Sequence, residues 1–216
     1  YGTVTGVQTC ALPIFCSVAK HSSSGIIKYQ INSYTYMAST TSDLVIIGGG
    51  LAGLVTANRA AQLGLKAIVL EQGTAEKYLC NTRYTGGTFH LCLREITLKP
   101  DFLHQLILET TDGFVSDEHA RLLADGGAKI IEWLQGEGIR FMRASASEYH
   151  KWVLAPPGRS RPGLDWEGRG GDVLLRTLEA NLLKRGGTLT RGAKAQSLIT
   201  EHGRCVGDRK STRLNS

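Results

Sequence analysis

The apolar positions of this chain fall into short continuous runs and longer periodic ones. Residues 43–47 and 66–70 are short, apolar and rich in β-branched side chains, which is typical of buried parallel strands. Between them, residues 51–63 are rich in Ala and Leu and are followed by Gly64, a pattern that predicts a helix with a glycine stop. This order predicts a right-handed βαβ crossover.

Helical periodicity returns after residues 72–98, which we predict to be irregular. Pro100 is expected to begin a helix that runs to about Thr111. Ser116 is expected to cap a further helix, and residues 128–135 are predicted to form a separate short one. Together these helices predict a helical insertion near residues 98–140.

The last third of the chain is predicted to be a loop, a helix and strands. Residues 143–170 carry prolines, glycines and polar side chains, which favour loop. Asp172 is expected to cap a helix that reaches Arg185. Strands are then predicted at residues 188–191, at 194–200 and from Arg204, with a turn at 202–203.

Both ends of the chain are expected to lie outside the fold. Residues 208–216 are DRKSTRLNS and residues 6–14 are GVQTCALPI, and one DNA string encodes the first segment forwards and the second as its reverse complement. This relation resembles a sequencing adapter on both ends of an insert. We therefore expect Met37 to be the true start, with residues 1–36 and 208–216 foreign and an incomplete domain over residues 37–207.

The net charge of the chain depends strongly on whether these two ends are counted. The formal net charge of +6 suggests an acidic partner such as nucleic acid. Two lysines before residue 37 and a net two positive charges after residue 207 account for four of these charges, which leaves +2. We therefore predict no nucleic-acid partner, and no apolar run is long enough to predict a transmembrane segment.

Three cysteines remain in the predicted domain, Cys80, Cys92 and Cys205. Their odd number and the absence of a CxxC pair predict neither a disulfide framework nor a zinc site, so no metal is expected. A reducing, cytoplasmic compartment is the simplest prediction. The sequence shows no Ser-His-Asp set and no paired catalytic acids, so the catalytic residues stay unassigned.

The strongest chemical signal is a glycine motif between the first strand and helix. Residues 48–53, GGGLAG, match G-x-G-x-x-G. Gly48 is expected to make the tight turn, Gly50 to let the backbone approach a pyrophosphate, and Gly53 to let the helix pack on the strand. Amides at the helix start, near Ala52, are expected to hold the anion.

An acid follows at the distance that this motif requires. Glu71 ends the second strand, eighteen residues after Gly53, and is expected to accept hydrogen bonds from an adenosine ribose. A carboxylate repels a 2′-phosphate, which permits FAD or NAD and disfavours NADP. The alternative is a glycine-rich turn of another α/β protein with Glu71 merely solvated, and the strand–helix–strand context disfavours it.

Residues 43–73, DLVIIGGGLAGLVTANRAAQLGLKAIVLEQG, resemble the start of FAD-dependent enzymes of the fumarate reductase/succinate dehydrogenase flavoprotein family. Residues 81–87, NTRYTGG, resemble that family's second flavin-contacting loop. Residues 168–180 with the following GGTL resemble its later helix–strand unit, and the nearest branch is tricarballylate dehydrogenase-like. The resemblance implies an α/β fold: a Rossmann-like, three-layer FAD-binding domain with a parallel central sheet, here truncated.

The resemblance also implies a set of cofactor contacts. The pyrophosphate is expected on Gly48, Gly50, Ala52 and Gly53, the ribose on Glu71, the flavin end near Asn81, Thr82, Gly86 and Gly87, and the adenine on the backbone of Ala195. For Gly86-Gly87 the alternative is an ordinary loop turn. Family members that bond FAD covalently carry a histidine just before this loop, where this chain has Cys80, so we expect non-covalent FAD.

The implied activity is oxidation or reduction of a carboxylate-activated C–C bond, as in succinate/fumarate or tricarballylate. The implied partners are a small-molecule carboxylate substrate and an electron acceptor, with the catalytic residues in later segments. Within the fold, a 3-ketosteroid dehydrogenase or an L-aspartate oxidase remains an alternative. An NAD-dependent dehydrogenase would share the motif and Glu71 without needing residues 81–87, and an inactive fragment is a further alternative.

Overall fold

A parallel three-stranded sheet forms the centre of the fold. The computed structural model describes residues 42–156, 166–202 and 204–212. The sheet order is β1 (Leu44–Ile47), β2 (Ala67–Leu70) and β7 (Thr188–Thr190). Helix α1 (Leu51–Gln62) connects β1 to β2, as the hydrophobic pattern predicts. All four residues of β2 are buried: Ala67 and Val69 lie in the core shared with α1, and Ile68 and Leu70 lie in a second apolar cluster on the opposite face.

The sheet is covered on both faces, which confirms the predicted layered α/β architecture. Helix α5 (Gly170–Lys184) packs beside α1, and their shared core contains Leu54, Ala57, Leu174 and Leu178. On the other face, the first residue of β8 (Ala193–Glu201) packs with apolar side chains of β1 and β2, namely Val45, Ile68 and Leu70. The parallel sheet and its helices are the framework on which the site is built.

Strand β8 pairs with β9 (Arg204–Thr212) as an antiparallel hairpin. Strand β9 is therefore longer than predicted and takes in residues 208–212, the front of the segment expected to be foreign. The domain limits at residues 37 and 207 stay a prediction. The described residues do not include residues 1–41, residues 157–165 of the predicted loop, Gly203 of the predicted turn, or residues 213–216.

The helical insertion contains two long helices, α3 (Pro100–Thr111) and α4 (Asp117–Gly136). The predicted separate helix at residues 128–135 is wrong, because α4 is continuous over 20 residues from its Ser116 cap. A Cβ atom at Gly127 would lie 2.3 Å from the carbonyl oxygen of Ile96. This glycine thus serves close packing within the helix rather than ending it.

Several short elements connect these larger ones. They are α2 (Asn81–Tyr84), β3 (His90–Leu91), β4 (Arg94–Glu95), β5 (Phe141–Met142), a 3-10 helix (Glu148–His150) and β6 (Val153–Leu154). Helix α5 begins earlier than predicted, with Arg169 at its cap position. Asp172 therefore does not cap α5 but lies inside its first turn. Within the described ranges, no helix has both the length and the apolar character that crossing a membrane requires.

Candidate functional site

The glycine loop, residues 48–53, joins β1 to α1. Gly48 has φ +97° and donates its N–H to the Leu70 carbonyl oxygen at 2.8 Å, which fixes the loop against β2. A Cβ atom at Gly53 would lie only 2.0 Å from the Gly48 carbonyl oxygen, so the helix start touches the loop backbone. Gly50 is at the cap position of α1, and as a glycine it places no side chain over the helix start. Backbone amides at such a helix start, with the helix dipole behind them, form an anion site.

Glu71 lies directly after β2 and is 6% exposed. Its Oε2 accepts the Gly49 N–H at 2.9 Å and its Oε1 accepts the Gly73 N–H at 2.7 Å. Both carboxylate oxygens are thereby held at the wall of a cavity of about 390 Å³ that Gly192 and Lys194 also line. Because each carboxylate oxygen has two acceptor positions, Glu71 can still accept hydroxyl groups from a ligand in this cavity.

Tyr78, which the sequence analysis did not single out, connects this cavity to the glycine loop. Its side chain lines the cavity, and its hydroxyl donates to the Gly49 carbonyl oxygen at 2.6 Å. Burial, followed by the neighbouring Cys80, raises the pKa of Tyr78 above its ordinary value, so the hydroxyl remains a donor. Its ring lies between two guanidinium groups, 5.0 Å from Arg83 and 5.3 Å from Arg191.

The second loop, residues 81–87, approaches the glycine loop from the other side. Thr82 Oγ1 accepts the Leu51 N–H at 3.1 Å, at the first residue of α1. Gly87 has φ +70°, and a Cβ atom there would lie 2.6 Å from the Leu154 side chain. A second cavity, of about 290 Å³, is lined by Leu51, Asn81, Thr82, Thr85, Gly87, Thr88, Phe89, Leu154 and Leu174.

The structure thus brings most of the predicted contact residues to one place, around the start of α1. The glycine loop is in the middle, Glu71 is on one side, and Asn81, Thr82 and Gly87 are on the other. Two predicted residues are peripheral. Gly86 lines neither cavity, and Ala195 lies on β8 next to Lys194, which does line the first cavity. The individual roles stay predictions.

Tyr78 escaped the sequence analysis because its partners are distant in sequence, with Gly49 lying 29 residues away. Arg83, within the second-loop motif, has no role predicted from sequence, yet it is 1% exposed. The sequence could not indicate that this cation is buried or which acid would pair with it. In the part of the chain that the structure describes, no group of three or more His, Cys, Asp or Glu side chains could hold a metal ion.

Comparison with known proteins identifies a family for this chain. Residues 43–213 match the protein family described as FAD binding domain. The chain is 27% identical over 122 residues to Protein FixC of Salmonella typhi, covering 55% of this chain and 27% of FixC. It thus spans about a quarter of the length of the curated relative that it matches.

Two solved structures share the fold. A 3-ketosteroid-Δ4-(5α)-dehydrogenase from Rhodococcus jostii RHA1, in complex with 4-androstene-3,17-dione, has a TM-score of 0.57 at 17% identity over 80% of this chain and 44% of that one. A flavocytochrome c3 fumarate reductase in its open conformation has a TM-score of 0.53 at 16% identity over 78% of this chain and 31% of that one.

Proposed function

Because this chain belongs to the FAD binding domain family, we propose that it is the FAD-binding part of a flavin-dependent oxidoreductase. One observation carries the proposal: the glycine loop and helix start are bonded to residues of two cavities. Gly49 is bonded to Glu71, which lines the first cavity, and Leu51 is bonded to Thr82, which lines the second. A dinucleotide whose two ends extend from a central pyrophosphate has this shape.

The residues present fit such a group. The glycine loop has no side chain of its own over the start of α1, and the close approach of Gly53 to Gly48 keeps the helix start in place. The Leu51 N–H is bonded to Thr82 Oγ1, so the amide of Ala52 is the one that we propose for the pyrophosphate. Glu71 would accept ribose hydroxyls, and Asn81 with Thr82 would contact the flavin end. When bound, the flavin supplies the hydride chemistry, while the protein supplies binding and orientation.

The second cavity favours FAD over the NAD alternative. An NAD-dependent dehydrogenase needs the glycine loop and the acid, but not the second loop. In this chain the second loop is bonded to the helix start through Thr82 and Leu51, and both residues line the second cavity. We propose non-covalent attachment, since no histidine occupies position 80 or 81 and Cys80 packs against the main hydrophobic core.

For the complete enzyme, we propose a carboxylate substrate oxidised or reduced at a CH–CH bond, together with a separate electron acceptor. The tricarballylate dehydrogenase-like second loop and helix–strand unit support this substrate class. A 3-ketosteroid substrate is the second candidate, because the steroid dehydrogenase shares the fold to a similar degree as the fumarate reductase, with TM-scores of 0.57 and 0.53. An L-aspartate substrate is the further alternative within the fold. A cytoplasmic location is part of the proposal and rests on the unpaired cysteines.

The test is an absorbance spectrum of the purified chain mixed with FAD, taken after gel filtration and again after acid precipitation. We expect a flavin spectrum that co-elutes with the protein and is released into the acid supernatant. Glu71→Gln is the matched site variant, and Arg59→Gln on the exposed part of α1 is the control. Colour that stays in the pellet would refute non-covalent binding. Folded protein that binds NAD and no flavin would refute the assignment.

A further inference from the structure

The glycine pair that begins α5 packs closely on two other segments, the second loop and β6. A Cβ atom at Gly171 would lie 2.0 Å from the Thr82 carbonyl oxygen, and one at Gly170 would lie 2.4 Å from the Leu154 side chain. These two glycines belong to the GRGGD motif of residues 168–172, to which the glycine-loop chemistry assigns no role. The small size of Gly171 therefore lets the backbone of α5 lie directly against the backbone of the second loop, while Gly170 leaves room for Leu154.

A buried ion pair crosses the same contact. Arg83, in α2, is 1% exposed, and its Nη1 pairs with a carboxylate oxygen of Asp172, whose side chain is fully buried. Arg83 Nε also donates to the Tyr78 carbonyl oxygen at 2.6 Å. The guanidinium lies over two rings, 5.0 Å from the centroid of Tyr78 and 5.5 Å from that of Trp166.

The Asp172 carboxylate is itself fixed in place. Its Oδ2 accepts the Gly168 N–H at 2.9 Å and the Arg176 Nε–H at 3.2 Å. Both bonds come from residues within four positions of Asp172, so the carboxylate is anchored to the start of α5. Through Arg83 this anchor extends across 89 residues of sequence to the second loop.

Stability alone is a poor reason to bury this pair. Removing two ions from water carries a desolvation cost that their mutual attraction need not recover, and well-packed apolar residues often stabilise a core at least as well. Among the described residues, Arg83 Nη2 has no hydrogen-bond partner, so the guanidinium is not fully compensated. The pair does fix the orientation of the Arg83 side chain, because its guanidinium is held by a carboxylate, a carbonyl oxygen and two aromatic rings.

We propose that Arg83 and Asp172 are positioning residues that hold the second loop in its cofactor-binding geometry. Neither residue lines either of the two cavities described above. They act through two neighbouring residues. Thr82, next to Arg83, accepts the Leu51 N–H at the start of α1, and Tyr78 donates its hydroxyl to the Gly49 carbonyl oxygen. The inference rests on the proposed function, since the ligand whose contacts are positioned is FAD.

The test compares this ion pair with a second one on the same helix. Arg83→Gln removes the cation and leaves the buried Asp172 carboxylate without this partner, which can prevent folding. The double variant Arg83→Gln/Asp172→Asn removes both charges and leaves no unpaired ion in the core. The control is Arg185→Gln. Arg185 bonds to the buried Glu137 through two nitrogens, at 2.7 and 2.9 Å, about 20 Å along the helix from Asp172.

The first readout is amide hydrogen exchange in the full chain without ligand. We expect residues 81–87 and the Leu51 amide to exchange about tenfold faster or more in both Arg83 variants, through local opening of the second loop. In Arg185→Gln these amides should stay within about twofold of the wild type, even where the melting temperature falls. Equal acceleration in the Arg83 variants and the control would overturn the proposal.

The second readout is the dissociation constant for FAD, from flavin fluorescence quenching. We expect the Arg83 variants to raise it about 10- to 100-fold, as when groups that orient a ligand-contacting residue are removed, and the control to leave it unchanged. Arg83→Lys keeps the charge and should restore part of the affinity. An unchanged constant in the double variant refutes positioning. If the wild type binds no FAD, the proposed function fails, and exchange at residues 81–87 still decides the positioning role.

Discussion

Gly53→Ala tests the contact that positions the α1 amides. The added Cβ atom would lie 2.0 Å from the Gly48 carbonyl oxygen and 3.3 Å from the Ile46 side chain. An ordinary contact requires about 3.5 Å, so the helix or the loop must move by about 1.5 Å. The oxygen belongs to the backbone, and its loop is bonded to β2 through Gly48, so no side-chain rotation can relieve the overlap.

The expected loss of stability follows from two opposing effects. Overpacking typically costs about 1–3 kcal/mol, and a clash with fixed backbone belongs at the upper end of that range. Alanine regains up to about 1 kcal/mol because it favours helix over glycine. The net loss is about 2 kcal/mol, which for a chain of this size lowers the melting temperature by about 4–8 °C. The displaced amides should weaken FAD binding as well.

Urea denaturation and FAD titration measure the two effects separately. The control is Gly126→Ala in α4, where a Cβ atom would meet no neighbour within 4 Å. This variant should gain up to about 1 kcal/mol from helix propensity and leave FAD binding unchanged. If Gly53→Ala proves as stable as Gly126→Ala and binds FAD like the wild type, the close approach of α1 to the glycine loop is refuted.

Three further predictions follow from individual contacts. Glu71→Gln leaves one of two loop amides without an acceptor, so the free energy of unfolding should fall by about 1.5–3 kcal/mol in urea, and an unchanged value would contradict the double acceptance. Gly127→Ala should destabilise α4, while Gly126→Ala in the same helix stabilises it; equal melting temperatures would refute the Ile96 contact. The pKa of His90 is lowered below its ordinary 6.5, first by burial and then by the neighbouring His150. As the pH falls, the unfolded chain therefore binds this proton before the folded chain does, and the free energy of unfolding should fall below about pH 6.5. His90→Gln should flatten that slope in urea midpoints measured between about pH 7.5 and about pH 5.5, and equal slopes would contradict this.

The parts of the fold that follow from local pattern could be predicted. The βαβ unit and the helix at Pro100–Thr111 depend on periodicity and on punctuation by Gly and Pro, all of which lie within one element. The continuity of α4 could not be predicted, because Gly127 meets a carbonyl group from residue 96. A glycine that ends a helix and one that admits a distant backbone look alike in sequence.

In the site too, features set by local sequence could be predicted and features set by distant contacts could not. The glycine loop and Glu71 could be found because the fold keeps their spacing along the chain nearly constant. Tyr78 and the Arg83–Asp172 pair could not, since each depends on partners 29 or 89 residues away. Asp172 shows the difficulty well: an acid before a helical pattern favours a cap, and only the buried arginine beside it gives it another use.

The unequal spacing of the two neighbours of β2 has a consequence for how the chain folds. Leu44 pairs with Ala67 across 23 residues, whereas Ile68 pairs with Thr188 across 120. Loop-closure entropy grows with the logarithm of loop length, so the second pairing costs about 1.5 kcal/mol more to begin. We therefore expect β1, α1 and β2 to assemble early, with the glycine loop already formed. The surroundings of Glu71 are completed late, when the arrival of β7 lets its N–H bond to Thr190 and its carbonyl group accept the N–H of Ala193.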